Sequence, residues 1–204
     1  MTKICVFDVD GVLQPGDAAK TFYERLFSRE DYFPAIIKDY LREMRRKSGL
    51  GWGYTEALYW GQALEKLYKR LVGRKREEVV SLMREVGNEL KAGKGAPEVV
   101  KQLQDNDIEV YAITGSFRDL ALSICTKLGI RKENVYGLKL YADEEGKITL
   151  PPHPLYAGPY KIMLIEFILQ SKDTRPRDLV FVGDGTTDID AVVNAHKVGY
   201  RAIA

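Results

Sequence analysis

The sequence has no excess of charge of either sign. Its 204 residues carry 31 basic and 29 acidic side chains, a net charge of +2. This balance gives no reason to expect nucleic acid or an anionic membrane as a partner. Basic clusters such as REMRRK at 42–47 and GRKREE at 73–78 contain acids too, which is typical of solvated helix faces or turns.

Cysteine and histidine are scarce. Cys5 and Cys125 each lie in an apolar run without CxxC or other metal spacing, so both are expected to be small buried hydrophobic residues. A disulfide between them is not expected in an intracellular setting. His153 and His196 also lack metal spacing and are expected to be structural.

Long apolar runs are absent as well. No stretch approaches the length of a membrane span, and the first strand begins at Lys3, which leaves no room for the apolar part of a signal peptide. Apolar residues make up 45% and charged residues 29% of the chain, as in ordinary globular proteins. The sequence therefore predicts a cytoplasmic protein of one domain, or one domain with a large insertion.

Short apolar runs alternate with helical patterns. The strand-like runs lie at 4–7, 108–114, 178–183 and 197–203. The helical patterns between them lie at 96–106, with Pro97 in its first turn, at 116–130, which reaches Gly129 at its end, and at 160–172. This alternation predicts a doubly wound α/β fold, with a parallel sheet covered on both faces.

Two segments interrupt the alternation. Residues 136–150 (YGLKLYADEEGKITL) predict a hairpin that turns at DEEG. Residues 17–91 are helical in pattern and too long for a loop, so they predict an all-helical module folded on its own. The predicted domains are an α/β core made of residues 1–16 and 92–204, with a helical cap inserted at 17–91.

The first apolar run is followed by two acids, Asp8 and Asp10. Burying one unpaired carboxylate is costly, and a second one beside it adds repulsion. A divalent cation is the obvious compensation. The competing interpretation is a simple turn, because Asp-Gly is a common turn dipeptide.

Polar residues follow two further strands in the same way. Thr114 ends the second run, and Asp184 and Asp188 follow the third. Ligands of an open parallel sheet bind outside the carboxyl ends of its strands, so these side chains are expected to meet Asp8 and Asp10. Thr114 alone is also compatible with a helix N-cap.

Four short motifs, DVDGV, TGS, GPYK and GDGTTD, occur in this order on the predicted elements. Together they resemble the haloacid dehalogenase (HAD) superfamily of phosphatases. The resemblance is closest to the phosphoserine-phosphatase-like branch, which inserts a helical cap after the first motif. Any one motif is weakly specific, whereas four in order are a strong signal. The resemblance implies a Rossmann-like HAD core that hydrolyses phosphomonoesters.

The resemblance also implies catalytic roles for the first and third motifs. Asp8 would be the nucleophile that forms an aspartyl-phosphate, and Asp10 would be the general acid and base. Lys161 would offset negative charge on the nucleophile and the phosphoryl group. From the sequence alone, Lys139 or Lys172 could take the place of Lys161.

Phosphate and metal binding follow from the second and fourth motifs. The Thr114 hydroxyl and the Gly115 N–H would hold phosphate oxygens at a helix N-terminus. The resemblance implies Mg²⁺ as the cofactor, and its ligands would be Asp8, Asp10 through its backbone carbonyl, Asp184 and, directly or through another ligand, Asp188.

The chain departs from the family pattern at the positions that recognise substrate. The fourth motif carries Thr187 where the family usually has Asn. Asp17 lies at the position of the cap glutamate of phosphoserine phosphatases, and Gly61 aligns best with their arginine. Asp17 and Tyr54 are the candidate specificity residues. Without a guanidinium to bind a carboxylate, phosphoserine is not the expected substrate.

The sequence therefore predicts a magnesium-dependent phosphatase that hydrolyses a small phosphomonoester through an aspartyl-phosphate. Its partner would be a small phosphorylated metabolite, with no nucleic acid and no membrane. Two alternatives stay open: a phosphotransferase or phosphomutase on the same scaffold, and a non-catalytic protein that binds a phosphorylated ligand. The oligomeric state and the substrate's identity are not predicted.

Overall fold

Five parallel strands form the centre of the computed structural model, which describes residues 2–27, 65–151 and 158–203. The strands are β1 (Lys3–Asp8), β2 (Ile108–Phe117), β3 (Val135–Leu138), β4 (Leu179–Val182) and β5 (Arg201–Ile203). Their order across the sheet is β3-β2-β1-β4-β5, so β1 is central and pairs with β2 and β4. The predicted doubly wound α/β fold is confirmed.

Helices connect the strands and cover the sheet. The α-helices with both bounds given among the described residues are α1 (Ala18–Leu26), α2 (Arg76–Glu89), α3 (Ala96–Asp105), α4 (Arg118–Lys127), α5 (Gly158–Ser171) and α6 (Ile189–Val198). Pro97 lies in the first turn of α3, where its missing N–H leaves no helical hydrogen bond unmade. Gly129 has a positive φ of 78° just beyond α4, as the sequence predicts for a helix end.

Successive side chains of β1 point to opposite faces of the sheet, and both faces are buried. Ile4 and Val6 belong to an apolar cluster with residues of α5 and α6. Cys5 and Phe7 belong to a second cluster, with residues of α3 and α4. This double burial explains why the strand is continuously apolar. Cys5 and Cys125 are buried and free, as expected.

The described parts of the predicted cap pack against the core. Ring centroids of Phe22 and Tyr68 lie 6.1 Å and 6.0 Å from that of Phe117. Met83 of α2 and Leu120 of α4 belong to the same buried cluster. The cap boundaries at 17–91 stay a prediction, because residues 28–64 lie outside the described residues.

The structure corrects the predicted hairpin at 136–150. Its first residues belong to β3, which pairs in parallel with β2 in the main sheet. A shorter hairpin remains, and it turns at DEEG as predicted: Ala142 and Ile148 form an antiparallel bridge, the Asp143 N–H donates to the Lys147 carbonyl at 2.9 Å, and the Thr149 N–H donates to the Tyr141 carbonyl at 3.0 Å. A four-residue strand gains more from the adjacent sheet than from a hairpin alone.

The predicted strand at 197–203 is also too long. Residues 197–198 complete α6, and β5 contains only Arg201–Ile203. Gly199 ends the helix with a φ of 94°, and its N–H donates to the Ala195 carbonyl at 2.8 Å. A glycine that readily adopts this left-handed conformation therefore sets the boundary.

Candidate active site

The carboxyl ends of β1 and β4 bring three acids together. Asp8 is the last residue of β1, Asp184 follows β4, and Asp188 begins the connection into α6. Each offers a carboxylate oxygen, and these oxygens all lie within 4.8 Å of one another. The spacing suits one multivalent cation with oxygen ligands.

Asp8 is only 5% exposed. Burial raises the pKa of Asp8 to about 7, although Lys161, whose Nζ lies 2.9 Å from Asp8 Oδ1, lowers it. The nearby Asp188 adds a further upward contribution. The protein alone therefore does not fully compensate the charge of this carboxylate.

Lys161 is buried between two of the acids. Its Nζ lies 2.5 Å from Asp188 Oδ1 as well as 2.9 Å from Asp8, and it donates to Thr187 Oγ1 at 3.4 Å. Burial lowers the pKa of Lys161, but the two carboxylates more than offset this, so the pKa is raised above its ordinary value. The ammonium is therefore held charged, and Thr187 supplies a hydrogen-bond acceptor beside it.

The two other lysines that the sequence allowed do not occupy this position. Lys172 pairs with Glu109 at 2.9 Å, and its Nζ lies 6.0 Å from the ring centroid of Tyr111. Lys139 is exposed. Of these three lysines, Lys161 is the one that the fold brings to Asp8.

Asp188 has a partner on each oxygen. Oδ1 meets Lys161, and Oδ2 accepts a hydrogen bond from the Gly185 N–H at 3.0 Å. A Cβ at Gly183 would come within 2.5 Å of the Asp188 carboxyl carbon, so a side chain there would displace the acid. Asp188 thus ties the loop after β4 to Lys161.

Asp10 has an environment separate from the three clustered acids. Its Oδ1 accepts hydrogen bonds from the Ala18 N–H, at 2.9 Å, and from the Gln14 side-chain amide. Thr114 Oγ1 donates to its Oδ2 at 3.4 Å. Burial raises the pKa of Asp10 above its usual value, with the Ala18 N–H acting against it. Its second carboxylate oxygen therefore lies beside the Thr114 hydroxyl.

Gln14 is a site residue that the sequence did not indicate. It is 1% exposed, and its amide nitrogen donates to the Gly16 carbonyl at 3.0 Å as well as to Asp10. A polar residue four positions after Asp10 in a turn gives no signal of this burial. Gln14 fixes the orientation of the Asp10 carboxylate.

Thr114 and Gly115 lie in β2 rather than at the start of a helix. Helix α4 begins only at Arg118, with Phe117 as its N-cap residue. The predicted placement at a helix N-terminus is therefore wrong, and so is the alternative of Thr114 as an N-cap. The strand continues past an irregularity in its pairing with β3, and Thr114 Oγ1 accepts the Ser116 N–H at 2.9 Å.

Comparison with known proteins identifies the family. A family model described as haloacid dehalogenase-like hydrolase matches residues 2–196, nearly the whole chain. The chain belongs to this family. This confirms the resemblance drawn from the four motifs.

Curated relatives of this haloacid dehalogenase-like hydrolase are phosphoserine phosphatases. The chain is 29% identical to the Homo sapiens protein over 160 residues, which cover 76% of this chain and 65% of the human protein. It is 31% identical to the Bos taurus protein over 125 residues, 59% of this chain and 53% of that protein. The matches thus span less than two thirds of the length of these relatives.

Solved structures with the same fold cover almost all of the chain. A substrate-bound phosphoserine phosphatase complex superposes with a TM-score of 0.67 at 22% identity, covering 99% of this chain and 86% of that one. A Bordetella pertussis Tohama I protein of unknown function gives a TM-score of 0.68 at 17% identity, covering 100% and 99%. At these identities the likeness establishes the fold.

The two candidate specificity residues of this HAD-like hydrolase have different outcomes. Asp17 is the N-cap of α1, where its Oδ1 accepts the Lys20 N–H at 2.9 Å. This capping contact accounts for an aspartate at that position without a substrate. Tyr54, like Gly61, lies outside the described residues.

Gly11 is a further residue on which the acidic cluster depends. Its φ is +82°, and a Cβ there would overlap the carboxylate of Asp184. The glycine after Asp10 therefore lets the turn from β1 pass directly under Asp184.

Within the part of the chain that the structure describes, no helix is both long and apolar enough to cross a membrane.

Proposed function

We propose that the protein is a magnesium-dependent phosphatase that hydrolyses a small phosphomonoester through an aspartyl-phosphate on Asp8. The observation that carries the proposal is the arrangement at Asp8: a buried carboxylate with a lysine ammonium at 2.9 Å and two more acids beside it. A carboxylate held next to positive charge at the mouth of a parallel sheet is suited to attack phosphorus.

The donor set fits a magnesium ion. Three carboxylates supply hard oxygen ligands, and the raised pKa of Asp8 reports charge that Lys161 leaves uncompensated. We assign Asp8, Asp184 and the Asp10 carbonyl as ligands, with Asp188 supporting the site through Lys161 and Gly185. When bound, the ion would neutralise charge on the phosphoryl oxygens.

The protein residues divide the reaction into two steps. Asp8 attacks phosphorus while the ester P–O bond breaks, and Asp10 gives its proton to the departing alcohol oxygen. Asp10 then takes a proton from water as the water oxygen attacks phosphorus and the bond to Asp8 breaks. Inorganic phosphate leaves, and both carboxyl groups return to their starting states.

Burial and hydrogen bonding suit Asp10 to this exchange. Its raised pKa favours the protonated form that the first step needs, while the Ala18 N–H and Gln14 hold the carboxyl group in one orientation. Lys161 would stabilise negative charge on the transferring group. The Thr114 hydroxyl and the Gly115 N–H are assigned to the phosphate oxygens. Thr114 Oγ1 lies 3.4 Å from Asp10 Oδ2, so the hydroxyl is close to the carboxyl group that would protonate the leaving oxygen.

The proposed substrates are small, soluble phosphomonoesters. The relatives named phosphoserine phosphatases make phosphoserine the first ester to compare. Gly61 aligns with the arginine of that branch, which argues for a substrate without an amino-acid carboxylate. Asp17 and Tyr54 stay the proposed specificity positions, although Asp17 already caps α1.

The direct test is inorganic phosphate release from a panel of phosphomonoesters that includes phosphoserine. Wild type and Asp8→Asn are assayed with Mg²⁺ and with EDTA. We expect release only from wild type with Mg²⁺. Transfer of the phosphoryl group to an added sugar in place of release would favour a phosphotransferase or mutase. Tight ligand binding without turnover would favour a binding protein.

A further inference from the structure

Within the described residues, one face of the sheet is covered over only part of its width. The chain moves from β1 to β2 to β3 in one direction and then returns to β4 and β5 in the other. With right-handed crossovers, α3 and α4 fall on one face and α5 and α6 on the opposite face. Beside α3, a groove of about 600 Å³ therefore lies over β1, β4 and β5.

The floor of this groove is apolar. Val180 and Val182 of β4 line it and are only partly buried, whereas Leu179 and Phe181, which point to the opposite face, are fully buried. Ile203 of β5 is 59% exposed. Strands with apolar residues on both faces are typical of sheets covered on both sides, so this face has the composition of a covered surface.

Helix α3 forms one wall of the groove. Val99 and Leu103 of this helix line it, and Val99 is 46% exposed. The space beside α3 is the position where a further helix of an α/β layer would pack, side by side with α3 and on top of β4 and β5. The shape of the groove therefore suits a helix with one apolar face.

The charges around the groove that lack an ion-pair partner within the described residues have one sign. Lys3, Arg177 and Arg201 line it and are exposed, and none of them forms an ion pair within the described residues. The acid of the groove, Asp178, is already held by Arg175 at 2.8 Å. Two copies packed through this face would bring like charges together, whereas an acidic occupant would complement them.

We propose that this groove binds an amphipathic, acidic helix of a partner protein. The apolar side of the helix would lie on Val180, Val182 and Ile203, and its acidic residues would meet Lys3, Arg177 and Arg201. None of the residues proposed for phosphate chemistry lines the groove, so this inference is independent of the catalytic proposal.

The test uses two stapled helical peptides of the length of α3, each with a leucine face. In one the flanking residues are glutamates, and in the other they are lysines. Fluorescence anisotropy measures binding to wild type and to the double variant Arg177→Glu/Arg201→Glu. Lys132→Glu/Lys197→Glu, outside the groove, is the matched control.

We expect wild type to bind the acidic peptide at least about tenfold more tightly than the basic one, because rim charges of like sign oppose docking. The double variant should reverse this preference, and the control pair should leave it unchanged. Binding of neither peptide, or equal binding of both, would overturn the proposal. So would a concentration-dependent dimer that Ile203→Arg dissociates, because the face would then belong to a second copy of the chain.

Discussion

Lys161 places one positive charge among the acids that end β1 and follow β4. Its contacts with Asp8 and Asp188, at 2.9 Å and 2.5 Å, are made by side chains that are almost completely buried. A buried ion pair contributes little over an apolar replacement of both partners, but removing one partner leaves an unpaired charge in the interior. Lys161 is therefore a structural requirement of this acidic cluster.

Lys161→Met should reduce the free energy of unfolding in EDTA by about 3–5 kcal/mol, because it leaves Asp8 and Asp188 buried without their cation. Urea denaturation measures this change. The matched variant is Lys172→Met, which removes a pair with Glu109 that is partly exposed, and it should cost no more than about 1 kcal/mol. Equal effects of the two variants would contradict this view of Lys161.

The raised pKa of Asp8 sets the direction of the pH dependence of stability. Between its ordinary pKa of 3.8 and the folded value of about 7, the folded protein keeps a proton that the unfolded chain has released. In EDTA, stability should therefore fall as pH rises through this interval, by up to about 1.4 kcal/mol per pH unit for this group.

Urea denaturation in EDTA at a series of pH values checks this slope. Asp8→Asn is the control, and its slope should be shallower because residue 8 no longer titrates. Asp10 acts in the same direction and should leave a residual slope. Wild-type stability that rises with pH across the interval would show that Asp8 is not destabilised by its burial.

At the scale of elements, the turn after β1 determines the geometry of the proposed metal site. The turn reverses the chain, and the Gly11 N–H donates to the Gln14 carbonyl at 2.9 Å. It also places the Asp10 carboxylate where it accepts a hydrogen bond from the Ala18 N–H at the start of α1. Asp184, which follows the carboxyl end of β4, lies against the same turn. One loop therefore brings together the first motif, the first helix of the predicted cap and the fourth motif.

A comparison of Gly11→Ala with Gly16→Ala distinguishes the cost of backbone strain from the cost of a steric clash. Both glycines have positive φ, +82° and +92°, but only at Gly11 does a new Cβ meet the Asp184 carboxylate. Gly16→Ala should cost about 1 kcal/mol from backbone strain alone. Gly11→Ala should cost more and should weaken Mg²⁺ binding, measured by calorimetry and by the Mg²⁺-dependent rise in Tm. Equal Mg²⁺ affinity in the two variants would contradict the close approach of Asp184.

The elements that the sequence predicted well carry strong local signals. The continuous apolar run of β1, Pro97 at the start of α3 and Gly129 after α4 each specify their structure within a few residues. The short strand β3 could not be recognised, because its assignment depends on pairing with β2 in a different part of the chain. The convergence of Asp8, Asp184 and Asp188 was predictable from the parallel sheet, whereas Lys161, which lies in α5, was indicated only by the resemblance to the HAD family. The role of Gln14 was not, since its burial arises only when Asp10 and α1 come together.

At the scale of the whole molecule, three apolar clusters join the described segments. Two lie on the faces of the sheet. The third joins α1, α2 and residues 67–71 to the end of β2, α4 and the segment after β3. The described parts of the predicted cap therefore share buried surface with the α/β core, and their packing should contribute to the stability of both.

This shared packing is tested by the same substitution at two positions, Met83→Ala at a buried site and Met163→Ala at an exposed one. Met83 of α2 is fully buried in the third cluster, while Met163 of α5 is 62% exposed. Met83→Ala should reduce the free energy of unfolding by about 2–5 kcal/mol, because it leaves a cavity. Met163→Ala should change it by less than about 0.5 kcal/mol. Urea denaturation followed by circular dichroism measures both, and a negligible effect at Met83 would contradict the buried contact of α2.

The central claim, that Asp8 carries the phosphoryl group, has one most direct measurement. The protein is mixed with Mg²⁺ and the best ester of the panel, quenched in acid during turnover, and treated with borohydride, which reduces an acyl phosphate to an alcohol. Peptide mass spectrometry then locates the reduced residue. We expect homoserine at position 8 in wild type, and none without substrate or in Asp8→Asn. Turnover with position 8 unmodified, or with the reduced residue elsewhere, would contradict it.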